Sequence, residues 1–135
     1  ILEQVGVNVG DDVRVIMMET KEEHPFVQVE LMMPILPVVR VPDVDAAIDM
    51  AIRVEHGNRH TAMMHSRNVD KLTKMAKLIQ TTIFVKNGPS YAGIGVGGEG
   101  CTTFPIAGPT GEGLTTAKSF ARRRRCVLVG GLDVR

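Results

Sequence analysis

Two acid–base side chains and two thiols in this sequence could do chemistry. His60 follows Arg59 and opens the run Thr61-Ala62-Met63-Met64. An imidazole titrates near neutrality and can carry a proton. The same residue can also be a plain polar strand start, and its neighbours leave both readings open. Glu30 sits between apolar residues in Val29-Glu30-Leu31-Met32-Met33-Pro34. A carboxylate there either faces solvent or accepts hydroxyl groups in a cleft, and local chemistry does not choose. Cys101 lies among glycines. A reactive thiol wants a helix N-terminus or a basic neighbour, whereas Glu99, Thr102 and Thr103 surround this one. It reads as a buried or spectator thiol, and Cys126 reads as packing.

Several other patterns fail on placement. His56 and His60 are four apart, but Glu55 precedes both and Gly57 breaks the helix that would put the two rings on one face. A zinc site is therefore not expected, and no metal is assigned. GxGxxG occurs twice, as Gly93/Gly95/Gly98 and Gly95/Gly97/Gly100. A dinucleotide loop needs those glycines directly between strand and helix, and the next helix is expected only near Gly113. No Gly-Lys-Ser/Thr is present, which excludes a P-loop. Arg122 to Arg125 form a basic run, but the net charge is +1 and aromatics are 4% with no Trp. Stacking platforms and a global field for nucleic acid are both missing. No apolar run reaches the ~20 residues of a membrane span. Two isolated cysteines without CxxC spacing suggest reduced thiols in the cytoplasm.

The elements that must position these residues follow from periodicity. The chain's 135 residues suit one domain. Strands are expected over 13–19, 35–41, 61–65, 81–86 and 126–129. Asp43 caps a helix to about Glu55, with Val44, Ala47, Ile48, Ala51 and Ile52 on one face. Ser66 or Asn68 caps a second, with Val69, Leu72, Met75, Ala76 and Ile79 inward and Lys71, Lys74 and Lys77 toward solvent. Leu114, Ala117, Phe120 and Ala121 mark a third. The middle alternates strand and helix, which argues for an α/β fold with a mostly parallel sheet and flanking helices. Ligands in such sheets sit beyond the carboxyl ends of strands. Nine of the fourteen glycines fall between Gly88 and Gly113, after the strand Ile83-Phe84-Val85-Lys86-Asn87. Apolar residues are interleaved with them, so the segment reads as a packed active-site wall. The opening Ile1-Leu2-Glu3-Gln4 looks like mid-helix and suggests a piece of a longer protein.

Three stretches carry a family resemblance. They are Glu55-His56-Gly57-Asn58-Arg59-His60-Thr61-Ala62, then Ile83 through Gly100, then Pro109-Thr110-Gly111-Glu112-Gly113-Leu114-Thr115. Arg124-Arg125-Cys126-Val127-Leu128 continues the match. Together they resemble the C-terminal part of CoA-acylating aldehyde dehydrogenases, the propionaldehyde and acetaldehyde enzymes of bacterial microcompartments.

The resemblance implies a catalytic-domain portion over 1–125 and an oligomerisation strand and tail over 126–135. It implies that Glu30 holds the ribose of NAD, although Met32-Met33 replaces the Phe-Gly of the family's Glu-x-Phe-Gly-Pro motif. His60 becomes a catalytic residue of the thioester half-reaction. Asn87, Pro89, Ser90 and Tyr91 become the aldehyde pocket. The family's nucleophilic cysteine forms a thiohemiacetal, gives up a hydride to NAD, and passes its acyl group to coenzyme A. That cysteine's motif lies upstream of everything present, so the chain alone should be inactive. The implied partners are a short-chain aldehyde, CoA, a second copy paired through Cys126 to Val129, and a microcompartment shell through the upstream region. Location would be cytoplasmic, inside such a compartment. The alternative is a non-catalytic α/β assembly module pairing through the same final strand.

Overall fold

The structure, a computed structural model, describes residues 1–98, 103, 106–108, 113–127 and 129–130. The described chain is α/β, with parallel strand pairs and short helices. It divides into two compact units, residues 1–57 with 67–80, and residues 58–66 with 81–135. Cys101, Glu99 and Gly100 lie outside the described residues.

In the first unit, β1 (Ile16–Thr20) and β2 (Ile35–Val39) pair in parallel, from Ile16 opposite Ile35 to Thr20 opposite Val39. β1 was expected from residue 13 but begins at Ile16. The ladder decides this: Ile16 N–H donates to the Pro34 carbonyl at 2.9 Å, while Val13 closes a turn onto Gly10. Pro37 is accommodated within β2. The short helix α1 spans Pro25–Gln28.

Helix α2 spans Val44–Val54, and its first free N–H groups are met by Asp43, whose Oδ1 accepts from Ala46 N at 2.8 Å. It ends where His56 and Gly57 turn to positive φ, 55° and 77°. Helix α3 spans Val69–Ile79, and the cap is Asn68, not Ser66, with Oδ1 accepting from Lys71 N. Ile48, Leu72, Met75 and Ile79 are buried. Ala76 is exposed and Val69 is 64% exposed, so the apolar stripe is narrower than expected.

Lys71 and Lys74 do not simply face solvent. Both reach Asp45 of α2, at 2.6 and 2.9 Å, and tie the two helices. The hydrogen bonds from Lys71 and Lys74 hold the Asp45 carboxyl down at about 2. The folded value therefore lies below the unfolded one. The stabilisation is complete above the ordinary carboxylate range and drains away as pH falls toward about 2. Asp45→Asn should lower the melting temperature at pH 7. The gap between variant and parent should narrow as pH falls toward about 2 and close below it in a melting series. A gap independent of pH would disprove this linkage.

In the second unit, β3 (Thr61–Met64) and β4 (Ile83–Lys86) pair in parallel, Thr61 opposite Ile83 and Met64 opposite Lys86. Ile83, Val85 and Ile94 form a buried cluster, with Ala92 and Ile106 packed against it. A 3-10 turn over Ser90–Ile94 follows β4. A two-residue antiparallel pair joins β5 (Ile106–Ala107) to β6 (Gly113–Leu114).

One expectation fails here. The third helix is a single 3-10 turn, Ala117–Phe120, with a reciprocal Thr116/Ser119 cap. Leu114, expected to begin that helix, is taken by the β6 ladder instead. Of the final strand expected over 126–129, the described residues Cys126, Val127 and Val129 pair with no strand of this chain, and Leu128 lies outside the described residues. A strand exists only where a neighbour completes its ladder, and no described strand of this chain lies alongside. No helix among the described residues is long and apolar enough to cross a membrane.

Candidate functional site

Parallel pairing of β3 with β4 builds the site. The Arg59 and His60 carbonyls accept from Thr82 N and Ile83 N, at 2.9 and 3.1 Å, so the ladder runs back into the segment that carries His60. His60 is exposed, and its Nδ1 lies 2.6 Å from the Thr61 hydroxyl. After β4 the chain turns at Asn87 and enters the 3-10 turn that carries Ser90 and Tyr91. That turn is pressed onto β4. A Cβ at Gly93 would overlap the Ile83 Cγ2 methyl, so the close approach requires glycine there.

The result is a cavity of about 190 Å³ lined by His60, Thr61, Ile83, Ser90, Tyr91, Ile94 and Ile106. Three isoleucines supply apolar wall. An imidazole, two hydroxyls and a phenol supply the polar groups. Such a pocket can hold a short aliphatic chain against the isoleucines while the imidazole acts on a polar group.

The structure thus brings together three of the six residues singled out in the sequence: His60, Ser90 and Tyr91. Pro89 is the residue before the 3-10 turn and does not line the cavity. Asn87 does not line it either; its side chain is bonded to the Ser66 backbone. Glu30 belongs to the first unit, where it is exposed. Neither the cavity of about 320 Å³ nor that of about 290 Å³ in that unit is lined by it. Thr61, Ile94 and Ile106 were missed. Adjacency to His60 was the available signal for Thr61, while nothing local marks the two isoleucines. Among the described residues no group of three or more His, Cys, Asp or Glu is placed to hold a metal.

No family model matches the chain. Individual proteins do. An acetylating acetaldehyde dehydrogenase of Salmonella typhimurium is 56% identical over 130 residues, which is 96% of this chain and 28% of that protein. A solved propionaldehyde dehydrogenase of Rhodopseudomonas palustris, with bound CoA and an acylated cysteine, is 73% identical with a TM-score of 0.87. The match covers 94% of this chain and 29% of that one. The chain is a relative of the CoA-acylating aldehyde dehydrogenases. A solved propionaldehyde dehydrogenase from the fucose-utilisation bacterial microcompartment of Clostridium phytofermentans is 53% identical with a TM-score of 0.85, over 99% of this chain and 31% of its own. The chain therefore spans under a third of the length of these dehydrogenases.

Proposed function

We propose that this chain forms one wall of the active site of a CoA-acylating aldehyde dehydrogenase. The reaction converts a short-chain aldehyde, CoA and NAD to acyl-CoA, NADH and a proton. The observation that carries this reading is the cavity of His60, Thr61, Ser90 and Tyr91 against Ile83, Ile94 and Ile106, in a chain with such relatives. The isoleucines take the aldehyde's alkyl group, which favours acetaldehyde or propionaldehyde. His60 takes the proton that the CoA thiol loses as it attacks the thioacyl carbon, and the Thr61 hydroxyl at Nδ1 orients the ring. The acyl-carrying cysteine, which leaves as its thiolate in that step, lies outside this chain.

NAD, when bound, supplies the two-electron acceptor. Glu30 fits its ribose: the carboxylate is exposed, and no salt bridge among the described residues engages it. Both oxygens can accept hydroxyl hydrogens. Val127 and Val129 are 69% and 92% exposed. Apolar residues so placed support pairing of 126–129 with a second copy. A microcompartment location follows the Clostridium neighbour.

The test is NADH formation with propionaldehyde and CoA, with acyl-CoA identified by mass. The full-length protein should give both products, and the isolated 135-residue chain should give neither. Full-length protein that makes no acyl-CoA would refute the reading. Turnover by the isolated chain that survives Cys101→Ala would refute the placement of the nucleophile.

A further inference from the structure

We propose that Asn87 is a positioning residue: it clamps the carboxyl ends of β3 and β4 together and so sets where Ser90 and Tyr91 stand. Three hydrogen bonds define the clamp. Asn87 N–H donates to the Met64 carbonyl at 3.1 Å. Its Oδ1 accepts from Ser66 N–H at 2.7 Å, and its Nδ2 donates to the Ser66 carbonyl at 2.9 Å. The side-chain amide thus pairs with one backbone peptide unit on each side, as a neighbouring strand would.

The backbone matches this task. Asn87 has φ 55°, the left-handed region that asparagine enters more readily than other residues with a Cβ. That turn ends β4 and redirects the chain at Gly88 toward the 3-10 turn of Ser90–Ile94. The turn is then held by packing of its own Ala92 and Ile94 against Ile83 and Val85. One end of the pocket loop is therefore fixed by packing and the other by Asn87. With its amide committed to Ser66, Asn87 acts on substrate through the loop. This deepens the proposed function and rests on it for its kinetic consequence.

Two variants of the full-length enzyme separate the clamp from a generic structural role. Asn87→Gly keeps the left-handed turn at no steric cost and deletes both side-chain bonds. Asn87→Asp keeps the acceptor for Ser66 N–H and loses the donor to its carbonyl. The aldehyde KM should rise about fivefold or more in Asn87→Gly, the equilibrium weight of one net hydrogen bond or more. The KM for NAD should stay within about twofold on the same scale. Asn87→Asp should keep part of the parent behaviour. Hydrogen exchange at the Ser66 amide should be about fivefold or more faster in Asn87→Gly and nearer the parent in Asn87→Asp. Unchanged Ser66 exchange in Asn87→Gly would overturn the clamp. Faster exchange with an unchanged aldehyde KM would overturn its role in the pocket. A parent enzyme that does not use aldehydes would sink the proposed function alone, because Ser66 exchange still reads the clamp. If Asn87→Gly does not fold, the same two readings on Asn87→Ala, which also deletes both side-chain bonds, decide.

Discussion

Replacing His60 with alanine in the full-length enzyme is expected to slow acyl transfer to CoA roughly 10²–10⁴-fold, the weight of a positioned acid–base group. The argument follows from the proposed role. A thiol attacks as thiolate, so the proton of CoA must go to a group at the pocket. His60 is the imidazole among the lining residues, and the Thr61 hydroxyl at 2.6 Å from Nδ1 holds the ring in place. Alanine removes the base without filling the cavity. The hydride step precedes CoA, so a first burst of NADH should survive. Rapid mixing with and without CoA separates the two steps. Equal losses in both would assign His60 to the pocket's shape, and unimpaired acyl transfer would remove it from the mechanism.

Ile83→Ala should cost about 2–5 kcal/mol of stability, the range for deleting a buried isoleucine. Ile83 is 5% exposed and packs with Val85, Ile94, Ala92 and Ile106. It also lines the cavity, so its loss removes both core and pocket wall. The contact with Gly93 gives the prediction a second arm. Gly93→Ala alone should destabilise by about 1–3 kcal/mol, because its methyl overlaps Ile83. In the Ile83→Ala background the overlap is gone and the methyl keeps only close contacts, 3.3 Å to Val85 Cγ2 and 3.4 Å to the Cβ at position 83, so the cost should shrink. Urea unfolding of the four proteins measures the coupling. Strictly additive effects would mean the two residues do not share the volume described.

Much of the local architecture was readable in advance. Helices α2 and α3 announce themselves by a 3.6-residue apolar period and by Asp43 and Asn68 at their starts. Both signals are local, since a cap contacts N–H groups within three residues. The β3 and β4 runs were readable for the same reason, as short apolar stretches between turn residues. The third helix was misread because its outcome is not local. Leu114 pairs with Ile106 in a strand ladder instead. Lys71 and Lys74 were read as solvent-facing because their common partner, Asp45, sits on another helix.

The sequence by itself determined the chemical inventory: one histidine at a strand start, a glycine-rich wall, an acid after α1, and no metal or phosphate motif in working order. It also carried the family resemblance. Only the tertiary structure decided which residues meet. His60 and Tyr91 share a cavity because β3 and β4 pair in register, and Thr61, Ile94 and Ile106 join them through the same packing. Asn87, which the sequence offered as a pocket residue, instead bonds Ser66. The physical reason is common to all of these. A side chain's type fixes what bonds it can make, while its partner is set by which strands and turns pack beside it.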